Sequence, residues 1–231
     1  MPLIKVVRAE RVVYTPEWLN TLEKAKKQEG LWLASWLAFD WIFGKRRNEI
    51  SKLLRKDVWT EQGYLYARFY VGKKKSKTAS VDQLPYTKRK VLEHKGIPYI
   101  LEYLKEYDES HKINDPDKVS RAYLFPWSNP RKDTVTVRTK FKNREGQEET
   151  REYTYAVQSG YINPSLVNYY LKKVNPQMWL HLGRHSVATR ASEDGATEYD
   201  IANILDVSPR TASKYVHHGT KLTEEWSKKT E

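Results

Sequence analysis

The chain has 231 residues, enough for one large domain or two small ones with a real core, and 39% hydrophobic content with 8 Trp and 16 Tyr excludes a disordered chain. Lys and Arg number 41 against 29 Asp and Glu, a net charge of +12 that favours a polyanionic partner, with nucleic acid ranked ahead of an acidic membrane surface. The absence of cysteine excludes a disulfide framework and a thiolate metal site, and fits a reducing cytoplasm or a hot one.

In chain order, residues 1–13 read as an extended arm. "TPEWLNTLEKAKKQEG" opens a helix with Thr15 as cap and Pro16 at its first position, and stops it at Gly30. "LWLASWLAFDWIF" over 31–43 is too short to span a bilayer and contains Asp40, so it reads as a buried helix. In "GKRRNEISKLLRKDVW", Ile50, Leu53 and Leu54 sit at helical spacing. "GYLYARFYVGKKKSKTASVDQLPY" reads as strands joined by a lysine-rich turn. A helix near 98–110 and a polar loop over 111–130 follow. Alternation around "NREG" over 132–157 predicts a β-hairpin. Asn163 and Pro164 cap and begin another helix. Helices are expected at 180–193 and 197–206, and a last one is capped by Ser208 with Pro209 at its first position. The N-terminus lacks a secretory leader, so a cytoplasmic location is expected. The expected class is α+β: mostly α-helical, with a small antiparallel sheet and an extra β-hairpin.

"HLGRH" gathers two histidines and an arginine in five residues, and helical spacing puts His181 and Arg184 on one face. Such a histidine alone is as well explained by packing. Its company changes that. Gly44, Arg46, Glu49 and Ile50 lie in "GKRRNEI", His181, Arg184, His185 and Ser186 in "HLGRHS", and Tyr215 closes "ILDVSPRTASKYVH". Together with "YVGKKKSK", these blocks resemble, in order, the catalytic domain of the tyrosine recombinases, the phage-integrase family, whose mechanistic relatives are type IB topoisomerases. The resemblance covers about residues 14 to 218.

It implies a catalytic domain over 1–231, with an arm at 1–13 and a tail at 216–231, lacking the family's N-terminal core-binding domain. It implies catalysis by Arg46, Lys73, His181, Arg184 and Tyr215, with Arg47, Lys74, Lys75, Lys77 and His185 as DNA-binding residues. Arg47 is the alternative to Arg46, and the neighbouring lysines are alternatives to Lys73. The implied function is a site-specific recombinase or integrase of a mobile element. It acts on double-stranded DNA through a 3′-phosphotyrosyl link, as a homo-oligomer on paired sites, with no membrane partner. A non-catalytic DNA-binding module and a type IB topoisomerase-like relaxing enzyme are the rival readings. Two positions depart from the family: Gly183 replaces a bulky aliphatic, and Val207 stands where histidine or tryptophan is usual. Val207 is expected to line the site as an apolar wall.

The residue chemistry agrees. Displacement at a phosphodiester builds charge on non-bridging oxygens, and guanidinium forks are suited to hold it. A phenol (pKa ~10) needs a base or a stabilised anion to attack, which His181 can provide. A lysine with neighbouring cations can protonate the leaving 5′ oxygen. No metal and no other cofactor is expected, since no carboxylate cluster and no Walker loop is visible.

Overall fold

A computed structural model describes residues 13–70, 86–111, 122–126, 134–142, 148–156 and 160–216, with the side chains of 134–142, 148–156 and 214–216 outside the description. Of the expected arm over 1–13 only Val13 is described and of the expected tail over 216–231 only position 216, and the lysines at 73, 74, 75 and 77 lie outside the described residues. Eight α-helices and five strands are described. They are α1 (Thr15–Glu29), α2 (Leu31–Phe43), α3 (Arg47–Ser51), β1 (Val58–Glu61), β2 (Tyr64–Tyr70), β3 (Tyr86–Val91), α4 (Ile97–His111), β4 (Thr134–Lys142), β5 (Glu148–Ala156), α5 (Pro164–Val174), α6 (Leu182–Glu193), α7 (Glu198–Leu205) and α8 (Pro209–Val216). The class is the expected one: mostly helical, with an antiparallel sheet ordered β1-β2-β3 and a separate β4-β5 hairpin.

α2 is the central strut. It is apolar on every side, and its residues from Leu33 to Trp41 are all buried. α1, α4, α5 and α6 pack around it, because a helix with no polar face is stable only when enclosed. Trp18 of α1 stacks on Trp41 at 5.6 Å, and the Trp36 indole donates to Ser51 Oγ at 3.2 Å, which fixes α3 against α2. The sheet covers another side of this core. Leu65, Ala67 and Phe69 of β2 face inward, while Tyr64, Tyr66, Arg68 and Tyr70 alternate outward.

Three local expectations need correction. Tyr14, not Thr15, is the N-cap of α1, and no side chain closes that end. α3 ends at Ser51, because Leu53 and Leu54 leave the helix to pair with a distant segment. The Leu124 amide donates to the Leu53 carbonyl and the Arg55 amide to that of Ala122. β1 was not expected, since "VWTE" carries only a short alternation. It is held by β2 and by Arg55, whose guanidinium donates to the Val58 carbonyl at 2.7 Å and forks onto Asp108 at 2.7 and 2.6 Å.

His94 packs its ring edge against Trp41 at 4.4 Å, and its Nδ1 accepts from the Gly96 amide at 3.0 Å. Burial, with Arg190 nearby, lowers its pKa to about 4. An unfolded histidine titrates near ~6.5, so the unfolded chain takes up a proton first. The stability that neutral His94 permits is therefore full above pH 6.5 and is lost as pH falls toward 4. The melting temperature should fall more steeply between pH 6.5 and 4.5 in the wild type than in His94→Gln. Equal slopes would show that His94 takes up its proton alike in the folded and the unfolded chain.

Candidate active site

Gly44 ends α2 in a left-handed conformation (φ 55°), and a Cβ there would sit 3.1 Å from the Val187 Cβ. Both features favour glycine. The turn it makes delivers Lys45 inward and Arg46 outward. Glu49 then fixes Arg46 twice. Its carboxylate accepts the Arg46 backbone amide at 2.9 Å and the guanidinium at 2.7 Å. The glutamate of "GKRRNEI" thus orients the arginine three residues before it.

Lys45 is fully buried. Its ammonium donates to the Asp206 carboxylate and to the Ile204 carbonyl, beside the Phe69 ring. Burial lowers its pKa to about 8, against the pull of Asp206. Asp206 closes α7 in a left-handed conformation (φ 51°), a position where aspartate is tolerated better than most residues. Its other oxygen accepts from Arg89 at 2.6 Å, and its carbonyl accepts from Arg46 at 3.4 Å. Arg89 also donates to the Asn203 carbonyl at 2.5 Å.

These groups border an open cavity of about 840 Å³ lined by Arg46, Arg89, Lys88, Asp206, Val207, Ser208 and Thr211 among others. Val207 therefore lies in its wall. Position 215 falls four residues after Thr211, hence on the same face of α8. Arg184 does not line this cavity. It is buried beneath, donating to the Gly44 carbonyl at 2.8 Å and the Leu205 carbonyl at 2.5 Å. It ties the turn before Arg46 to the end of α7. His181 is the exposed N-cap residue of α6, with His185 one turn on. Desolvation lowers the His181 pKa, and Arg47, His185, Arg184 and Arg46 lower it further, so its imidazole is neutral at pH 7. Arg47 is exposed at the start of α3 and is not in the cavity wall. Ser186 is buried, and its Oγ accepts from the Val13 amide at 2.9 Å, a structural tie. Among the described residues no group of three or more His, Asp or Glu could hold a metal ion.

Gly183 has a physical explanation. A Cβ there would fall 2.3 Å from Asp40 Oδ2. The α2 carboxyl fills the space that a bulky aliphatic at 183 would need. Burial holds the Asp40 pKa well above the usual carboxylate range, against the pull of Arg184 and the Gly183 amide.

Sequence reading missed Arg89, Asp206, Lys45 and Asp40. Arg89 had one signal: in "TKRKV" the middle of three cations on a strand faces opposite to its neighbours.

The helical arrangement around α2, the three-stranded sheet and the α6-α7-α8 cap are the fold of the tyrosine-recombinase catalytic domain. Solved structures similar to this chain are the crystal structure of XerA recombinase, at TM-score 0.57 and 16% identity over 99% of this chain and 66% of XerA. Two more are XerH site-specific recombinase bound to difH substrate. The pre-cleavage complex has TM-score 0.57 and 16% identity over 93% of this chain and 53% of XerH. The post-cleavage complex, on palindromic difH, has TM-score 0.57 and 16% identity over 94% and 52%. The chain thus spans between about half and two thirds of the length of these proteins. No protein-family model and no curated protein matches the sequence. No helix among the described residues is long and apolar enough to cross a membrane.

Two stability predictions follow from the buried charges. Gly183→Ala should cost ~1–3 kcal/mol by overpacking. Combined with Asp40→Ala, it should cost less than the sum of the singles, by at least ~0.5 kcal/mol in chemical denaturation. Strict additivity would mean that the two side chains do not meet. Asp206→Asn keeps the left-handed turn but strands the Lys45 ammonium, and should cost ~3 kcal/mol. Adding Lys45→Met should recover more than half. No recovery would show that the charge pair is not the cause.

Proposed function

We propose that the protein is a site-specific DNA recombinase or integrase that breaks and rejoins DNA through a 3′-phosphotyrosyl intermediate on Tyr215, without metal or ATP. The observation that carries this reading is the convergence of Arg46, Arg89 and the Thr211 face of α8 on one open, basic cavity. The +12 charge and the likeness in fold to XerA and XerH support it.

In the proposed reaction the DNA phosphate enters the cavity, and Arg46 clamps its non-bridging oxygens. Arg184 donates to the carbonyls of Gly44 and Leu205, and its part is to hold the floor of the site and the turn that carries Arg46. The Tyr215 oxygen attacks phosphorus and the bond to the 5′ oxygen breaks. The phenolic proton passes to a base, for which neutral His181 is suited, and Lys73 protonates the departing 5′ oxygen. Lys74, Lys75, Lys77, Arg47 and His185 serve as DNA contacts. A second 5′ hydroxyl reverses the step. Paired sites on double-stranded DNA require more than one copy of the chain, acting in the cytoplasm.

A nicked suicide duplex run on a denaturing gel tests this. Wild type should give a covalent adduct, and Tyr215→Phe should bind DNA and give none. Arg46→Ala should slow adduct formation by on the order of 10²-fold or more. DNA binding with no adduct on any substrate would instead indicate a non-catalytic DNA-binding module. Relaxation of supercoiled plasmid without strand exchange between sites would indicate a topoisomerase-like enzyme.

Val207 gives a second test. It cannot donate a hydrogen bond. Val207→His should leave cleavage unchanged or raise it, up to about 10-fold if the new donor is worth ~1.4 kcal/mol in the transition state. A slower enzyme with a lowered melting temperature would show that the position serves packing alone.

A further inference from the structure

A second recess, of about 270 Å³, opens on the outward side of the sheet. Its walls are Tyr70, Tyr86, Tyr123 and Tyr161, with Lys52 and Arg68. The tyrosines form two edge-to-face pairs, Tyr70 with Tyr86 at 5.9 Å and Tyr123 with Tyr161 at 5.5 Å. The Lys52 ammonium lies 5.1 Å over the Tyr161 ring and the Arg68 guanidinium 5.8 Å over Tyr86. Asp57 is buried in the wall, 3.1 Å from Arg68.

The walls come from separate segments. Tyr123 is drawn in by its bridge to Leu54, and Tyr161 by its bridge to Pro126. The mixture is selective. Four aromatic edges and faces offer stacking to a flat ring. Two cations beside them exclude a cationic ligand of the kind that aromatic cages take, and favour an anionic group. One carboxylate can accept from an exocyclic amine. A flat heterocycle joined to a phosphate meets all three. The volume lies near the lower end of small-ligand sites, ~300 Å³, and admits one such unit.

Position supplies the ligand. Tyr86 is a wall of both this recess and the active-site cavity. α3 joins them from the other side, with Arg46 as its N-cap and Lys52 as its C-cap. Six residue steps at ~1.5 Å separate the two by ~9 Å. That is two to three nucleotide steps at ~3.4 Å rise. We propose that this recess is a nucleotide-binding subsite, which takes one unstacked nucleotide of the DNA strand leaving the active-site cavity. The DNA origin of the ligand rests on the recombinase reading. The shape and charge of the recess do not.

The test is ligand-observed NMR titration of the full chain with the four deoxynucleoside 5′-monophosphates, with inorganic phosphate as a parallel probe. Saturable nucleotide binding is expected. Tyr161→Ala and Lys52→Ala should each weaken it about 10-fold, the effect of losing one stacking or charge partner. Tyr161→Phe keeps the ring and should bind within about 2-fold of wild type, which separates stacking from misfolding. Three results overturn the inference: no nucleotide binding, binding insensitive to both alanine variants, or inorganic phosphate binding as tightly as nucleotide. The suicide-duplex assay separates the two proposals. Adduct without nucleotide binding removes the subsite and leaves the recombinase. Nucleotide binding at Tyr161 without any adduct leaves the subsite and removes the recombinase.

Discussion

Three basic side chains from two distant parts of the chain meet at Asp206. Its carboxylate holds the buried Lys45 and the strand residue Arg89, and its carbonyl accepts from Arg46. The residue adopts a left-handed conformation, so α7 stops there and the chain turns toward α8. Val207 and Ser208 reach the cavity wall because of that turn, and Pro209 can begin the helix carrying Tyr215. Arg184 binds the carbonyl of Leu205, the residue before, and so braces the same turn from below. Loss of the Asp206 carboxylate would leave Arg184 as the tie between the end of α2 and the end of α7, and the Arg89–Asn203 bond as the tie between β3 and α7.

The arrangement has an electrostatic logic. A buried ammonium costs several kcal/mol to desolvate unless it is paired, and the Lys45–Asp206 contact offsets that cost without adding net stability of its own. What it contributes is position. Asp206 satisfies Lys45 and Arg89, while Glu49 holds Arg46 at the rim. Asp206 reaches the wall with its charge paired to Lys45 and Arg89, so Arg46, Lys88 and Arg89 leave the wall basic. Asp40 follows the same pattern one layer deeper, close enough to Arg184 for each charge to act on the other. In a chain of net charge +12, Asp206 and Glu49 orient the cations at the cavity.

Much of this was legible in the sequence, for identifiable reasons. Helices with a proline start, such as α1 and α5, declared their beginnings within a residue or two, and Gly30 declared the end of α1. The buried character of α2 followed from its unbroken apolar run, and the β4-β5 hairpin from strict alternation. β1 was invisible because its stability comes from Arg55 and from β2, not from its own four residues. The arginine of "HLGRH" stood out by its neighbours, but nothing local said that it would be buried and bonded to the carbonyls of Gly44 and Leu205. The glycine at 183 looked like a departure until Asp40, far away in sequence, was seen to occupy its space. Side chains whose role is to hold another residue carry no local motif. Only the fold brings Asp40, Lys45, Arg89 and Asp206 to the residues they hold.

The claim at the centre of this account is that the groups gathered around Asp206 serve a covalent step on one tyrosine. The most direct measurement is to trap the protein on a nicked duplex, digest the complex with nuclease and protease, and sequence the modified peptide by mass spectrometry. The account predicts a nucleotide remnant in phosphodiester linkage on Tyr215. A remnant on any other residue, or an unmodified Tyr215 in a complex that has cut its DNA, would contradict it.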